Sequence, residues 1–123
     1  MIMNKVGIDV LEVKRMEDYV KREFPMEKIF TKYEIEYINR VAKSTTRMAG
    51  IFSAKEAFLK ATGVGVKNGV SLLEVEVKHE ESGRPYLNLT GNAKKVLGEL
   101  KLKHCDISIS HTDNIATAIC ILS

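Results

Sequence analysis

Asp9 stands in the alternating stretch Met1–Leu11, MIMNKVGIDVL, where a carboxylate is depleted on propensity grounds. Buried, it must be paired, hydrogen-bonded or bound to a cation; as a helix cap or on a solvated sheet face it needs none of these. Glu56 and Lys60 lie four residues apart in RMAGIFSAKEAFLKATGVG, which puts them on one helical flank with Ser53. On spacing alone they read as a solvated ion pair worth a few tenths of a kcal/mol. Lys55 falls inside the apolar stripe of the same helix, where its charge has to be paired or its head has to escape. His111 follows the strand-like CDISIS, between Ser110 and Thr112. A histidine there can orient a substrate or move a proton, and it can equally be a turn residue. The glycines of GVGVKNG allow backbone amides to approach an anion, and a plain helix C-cap accounts for them as well.

The elements that must position these residues can be read from periodicity. Val6, Ile8 and Val10 alternate with Gly7, Asp9 and Leu11, giving a first strand. Glu12–Phe24 reads as a helix with apolar positions Val13, Met16, Tyr19 or Val20, and Phe24, stopped by Pro25. Lys14, Arg15, Lys21 and Arg22 make it basic, either as a solvated face or as a docking surface for an acidic partner. Within 28–42, Thr31 and Glu34 form a capping box ahead of Ile35, Ile38 and Val41. The central helix, up to Thr62, has one apolar stripe of Met48, Ile51, Phe52, Phe58 and Leu59. Ser44, Thr45 and Thr46 offer N-caps, and Gly63 and Gly65 offer a left-handed stop. Strands follow over 72–79 and 85–89, joined by a turn at Ser82-Gly83, then a helix over 90–100 capped by Thr90 or Asn92. Strands from Cys105 and from Ile115 to Leu122 close the chain. The order predicts an α+β fold with a mostly antiparallel sheet packed on a long central helix.

The composition narrows the function classes. The length of 123 residues and a hydrophobic content of 45% fit one domain, 1–123, with a compact core. A net charge of +3, with acids interleaved among the bases, gives no nucleic-acid signature. Cys105 and Cys120 lie outside any CxxC or Cys/His spacing and read as free thiols in a reducing compartment. Neither a signal peptide nor an apolar run of membrane-spanning length is present, and a cytoplasmic protein is expected.

GIDVLEVKR, RMAGIFSAKEAFLKATGVGV, SGRPYL and ISISHT, in this order, resemble the holo-acyl-carrier-protein synthase family, the small class of 4′-phosphopantetheinyl transferases. The resemblance covers essentially the whole chain. It implies transfer of 4′-phosphopantetheine from coenzyme A to a serine of acyl carrier protein, with adenosine 3′,5′-bisphosphate as by-product. It also implies a homotrimer with active sites between subunits, and a place in fatty acid biosynthesis. By motif, Asp9 and Glu56 are its Mg2+ ligands and Lys60 stands by the reacting phosphate. Gly63, Gly65 and the triplet Ser110, His111 and Thr112 border coenzyme A. Lys43 and Arg47 are candidates for the adenosine 3′-phosphate, and Arg15, Tyr19 and Arg22 match the helix that meets the carrier protein. A hard cation held by two carboxylates and substrate phosphates suits such chemistry. Relatives often carry arginine where this chain has Ile51, and alanine where it has Ser53. A non-catalytic module that grips coenzyme A or the carrier protein is the alternative reading.

Overall fold

The structure, a computed structural model, describes residues 3–63 and 69–123. Three antiparallel strands, β1 (Lys5–Glu12), β5 (Ile115–Leu122) and β4 (Cys105–His111), form one sheet in the order β1-β5-β4. A separate hairpin pairs β2 (Val75–His79) with β3 (Pro85–Leu89) around the Ser82-Gly83 turn. The central helix α3 (Ser44–Thr62) lies across one face of the larger sheet. Around it stand α1 (Val13–Lys21), α2 (Lys32–Ile38) and α4 (Gly91–Glu99). The expected antiparallel α+β architecture is therefore present, with its strands divided between two sheets.

The face that β1 turns to the helix is the unexpected one. Gly7 and Leu11 are buried against α3 with Asp9 half-buried between them, while Val6, Ile8 and Val10 are 58%, 63% and 69% exposed. Gly7 explains how this packing is possible. A Cβ there would collide with the Ala57 carbonyl oxygen and the Ala61 amide, so only glycine lets the α3 backbone settle directly on β1. α3 is buried around almost its whole circumference, not along one stripe. Its small residues Ala49, Gly50, Ser53, Ala54, Ala57 and Ala61 allow the sheet on one side and the remaining elements on the other to approach closely.

Several boundaries differ from those the sequence suggests. α1 stops at Lys21, before Pro25, as Glu23 adopts φ 54°. Tyr19 joins its apolar line, whereas Val20 and Phe24 are exposed at 48% and 38%. α2 ends at Ile38, leaving Val41 outside it. Lys43 occupies the N-cap of α3, and no side chain caps that end; Gly63, at φ 73°, provides the left-handed stop. Residues Leu72–Glu74 form a 3₁₀ turn, capped by Ser71, in place of the start of β2. Neither Thr90 nor Asn92 caps α4 with its side chain; the Glu74 carboxylate accepts from the Asn92 amide at 2.7 Å instead. Among the described residues no helix is long and apolar enough to cross a membrane.

Candidate active site

The close approach at Gly7 sets the position of Asp9, two residues further on the same face of β1. Ser53 Oγ donates to Asp9 Oδ2 at 2.9 Å, and Lys60 Nζ stands 3.1 Å from Oδ1. The Asp9 carbonyl accepts from Thr117 Oγ1 at 2.8 Å and from Ser53 Oγ at 3.2 Å, so backbone and side chain are both held. The Asp9 side chain is only 12% exposed, while that of Lys60 is 55% exposed. Lys60 thus reaches across to the strand, and the i,i+4 pair with Glu56 does not form.

Glu56 completes the group one turn before Lys60. It is half-buried and makes no hydrogen bond or direct ion pair among the described residues. Burial raises its pKa above the usual carboxylate range, and the Asp9 charge raises it further, against the pull of Arg15 and Lys60. Two carboxylates from different elements, with oxygen as the only donor atom, fit a hard divalent cation. Among the described residues no cluster of three or more His, Cys, Asp or Glu could hold a metal ion, so a cation held by Asp9 and Glu56 would need water or ligand oxygens at its other positions.

A second cleft opens where the N-terminal half of α3 passes β4. Its 240 Å³ are lined by Tyr37, Thr46, Arg47, Gly50, Ile51, His79, Gly83, Pro85, Ile109 and His111. A neighbouring recess shares Thr46, Arg47 and His111 and adds Lys43 and Asp113. Arg47 is anchored by a 2.9 Å bond to the Tyr37 carbonyl and lies 4.0 Å from the centre of the Tyr37 ring. Lys43 pairs with Asp113 at 3.4 Å, both well exposed. Asp9 and Ile109 are in register with the same β5 residue, Ala118, so roughly 10 Å of sheet separates the carboxylates from this cleft.

The Ser110–Thr112 triplet is split by strand alternation. His111 enters the cleft, Ser110 is exposed on the opposite face of the sheet, and Thr112 Oγ1 accepts from the amides of Asn114 and Ile115 within the β4–β5 turn. Gly63 sits at the C-terminus of α3, and Gly65 lies outside the described residues. On α1, Arg15 donates to the Tyr19 hydroxyl at 3.2 Å and packs its guanidinium 5.2 Å from the centre of the Phe52 ring. Arg22 stands 5.7 Å from the centre of the Tyr19 ring. Arg15 is also close enough to lower the Glu56 pKa, so α1 borders the carboxylates directly. The sequence reading passed over Tyr37 and His79. Their only signal is the position of His79 at a strand end before a glycine turn, the same kind of place that singled out His111.

The chain is similar to proteins of known family and fold. The family pattern of the 4′-phosphopantetheinyl transferase superfamily matches residues 5–120. A holo-[acyl-carrier-protein] synthase of Halothermothrix orenii is 37% identical over 118 residues, covering 94% of each chain. One from Caldanaerobacter subterraneus is 38% identical over 117 residues, covering 94% of this chain and 91% of its own. Among solved structures, Helicobacter pylori holo-[acyl-carrier-protein] synthase in complex with coenzyme A superposes with a TM-score of 0.82 at 29% identity, covering 96% of this chain and 99% of the other.

Proposed function

The chain belongs to the 4′-phosphopantetheinyl transferase superfamily, and from that premise we propose that it is a holo-[acyl-carrier-protein] synthase. It transfers the 4′-phosphopantetheine group of coenzyme A to a serine of apo-acyl-carrier protein and leaves adenosine 3′,5′-bisphosphate. The observation that carries this reading is the convergence of Asp9, Glu56 and Lys60 where β1 meets α3. The serine oxygen forms a bond to the phosphorus that bears pantetheine, and the bond from that phosphorus to the adenosine 5′-phosphate oxygen breaks. Lys60, half-exposed and ion-paired with Asp9, holds a positive charge beside the phosphate oxygens as charge builds on the leaving group. Glu56, one turn before Lys60 on α3, is the protein group available to take the serine proton. Asp9 and Glu56 would hold Mg2+, which when bound supplies charge neutralisation on the pyrophosphate. Arg47 and Lys43 bind the phosphorylated adenosine end in the β4 cleft, and the basic α1 residues Arg15 and Arg22, with Tyr19, dock the acidic carrier protein. The product supports fatty acid biosynthesis in the cytoplasm, a setting compatible with two free thiols whose sulfurs are 3.6 Å apart.

The same reading includes a homotrimer. The sheet face opposite α3 carries Val6, Ile8, Val10, Ile115, Ile119 and Ile121, all exposed, with Val6 paired to Ile121 and Ile8 to Ile119. A contiguous apolar face of this kind calls for a partner, and copies of the chain packed on it would place Ser110 at a subunit boundary. Light scattering should return a trimer mass; a fully active monomer at micromolar concentration sinks the shared-site arrangement. For the chemistry, mass spectrometry of apo-carrier protein incubated with this protein, coenzyme A and Mg2+ should show the phosphopantetheine adduct and released adenosine bisphosphate. Coenzyme A binding without transfer would leave a binding module instead.

A further inference from the structure

His79 ends β2 at the rim of the cleft that Arg47 and His111 enter. Its ring lies 3.8 Å from the Tyr37 ring, at an interplanar angle of 14°, and its amide donates to the Tyr33 hydroxyl at 3.3 Å. Main chain and ring are therefore both fixed. Nδ1 is buried and has no hydrogen-bond partner. An orphaned buried N–H is rarer and costlier than an orphaned lone pair, so Nδ1 carries the lone pair and the proton resides on Nε2. Burial, with the nearby Arg47 charge, holds the ring below its usual pKa, so this neutral tautomer prevails near neutrality. Nε2 is not among the buried unpartnered atoms and bonds no described protein group, so its N–H is a donor left for something outside the chain.

The rest of the cleft indicates what that is. Ile51, Ile109 and Pro85 supply apolar wall, the His79 ring backed by Tyr37 supplies a flat aromatic face, and Arg47, over the Tyr37 ring, supplies a fixed cation. Apolar and aromatic walls beside a cation suit a phosphorylated nucleoside. The phosphate belongs to Arg47. A neutral ring with one N–H has little to offer a dianion, and the charge of Arg47 opposes the protonation that would change this. It matches a neutral acceptor, such as a ring nitrogen of a purine. We propose that His79 is a specificity-determining residue of this cleft, giving its Nε2–H to the base of the bound nucleotide while Tyr37 fixes its orientation. This rests on the coenzyme A-dependent function proposed above and adds a residue that reads the base.

Calorimetry with adenosine 3′,5′-bisphosphate and with its abasic counterpart, 1-deoxyribose 3,5-bisphosphate, tests the assignment without needing turnover. His79→Phe keeps a ring on Tyr37 and removes the donor. It should weaken the adenosine compound by about tenfold, the loss of one hydrogen bond, and leave the abasic compound within about twofold. His79→Gln, which retains an N–H donor, should recover most of the loss, and thermal melts establish that both variants are folded. The proposal is overturned if His79→Phe binds the adenosine compound like the wild type, if both compounds weaken alike, or if His79→Gln fares no better than His79→Phe. A wild type that binds the bisphosphate but transfers nothing to the carrier protein defeats the transferase reading and leaves the His79 assignment standing. A wild type that binds no bisphosphate defeats the assignment itself.

Discussion

Two lysines of α3, five positions apart, each pair with a carboxylate from another element, and the pairs differ in every respect that matters to function. Lys55 Nζ lies 2.6 Å from Glu34 Oε1, with both side chains 0% exposed. Lys55 also donates to the Leu72 carbonyl at 2.8 Å, while Glu34 accepts from the amides of Thr31 and Val77, each at 2.8 Å. Burial pushes the Glu34 pKa up and the Lys55 pKa down, and the charge of each pulls the other back. These bonds tie α2, α3 and the turn into β2 together, and both side chains are sealed from solvent, so the pair is closed to a ligand. Lys60 and Asp9 are 3.1 Å apart, but Lys60 is more than half exposed and an unpartnered Glu56 crowds the aspartate. Charges that are satisfied and sealed hold the fold; charges that are half-open and mutually strained are available for chemistry.

Breaking the open pair should give the largest effect of all, on activity. Asp9→Asn keeps an acceptor for Ser53 and removes one of two opposing carboxylates; transfer to the carrier protein should fall by about 10³-fold, with the melting temperature unchanged or slightly raised. Steady-state kinetics beside calorimetric melts check both halves. Breaking the sealed pair should do the reverse. Lys55→Met leaves the Glu34 carboxylate buried without its counter-ion and should cost about 3–5 kcal/mol in denaturant titration. Adding Glu34→Gln removes that buried charge and keeps an acceptor for one of the two amides, Thr31 or Val77, which donate to different carboxylate oxygens; the double variant should still be more stable than Lys55→Met alone, because an uncompensated charge costs more than one lost hydrogen bond. If the second substitution makes matters worse, the sealed pair is not held together by charge.

Lys60→Met, the matched change on the open side, should reduce kcat/KM by about 10²-fold and move stability by less than about 0.5 kcal/mol. A stability loss as large as that of Lys55→Met would erase the distinction. The smallest effect concerns His79, which is intermediate between the two cases: half-buried, with one nitrogen sealed and one open. Its folded pKa lies below the usual histidine value of 6.5, so the unfolded chain binds the proton more readily. Its contribution to stability is therefore complete above 6.5 and is lost as pH falls from there through the lower folded value. Urea titrations across that window should show a decline in the wild type that is shallower in His79→Phe.

Much of the frame was legible because it is encoded locally. The Thr31–Glu34 capping box, the left-handed stop at Gly63, the Ser82-Gly83 turn and the alternation of β1 depend on residues a few positions apart, and each appears in the structure. Asp9 and Lys55 were visible as anomalies, since a charge within an apolar pattern needs a partner wherever the chain goes. Their partners were not visible: Ser53 is 44 residues from Asp9, and Val77 is 43 residues from Glu34. Local patterning also could not say which face of β1 turns inward, because the more apolar set, Val6, Ile8 and Val10, is the one left outside. Gly7 decided that, by admitting the helix backbone where any side chain would collide. The separation of Ser110 from His111 follows from strand alternation once β4 is registered against β5. The chain's own order fixed turns, caps and periods through short-range sterics and hydrogen bonding. Only the packing of α3 on the sheet, a close-range fit between distant segments, decided which charges would be sealed and which would remain open to a ligand.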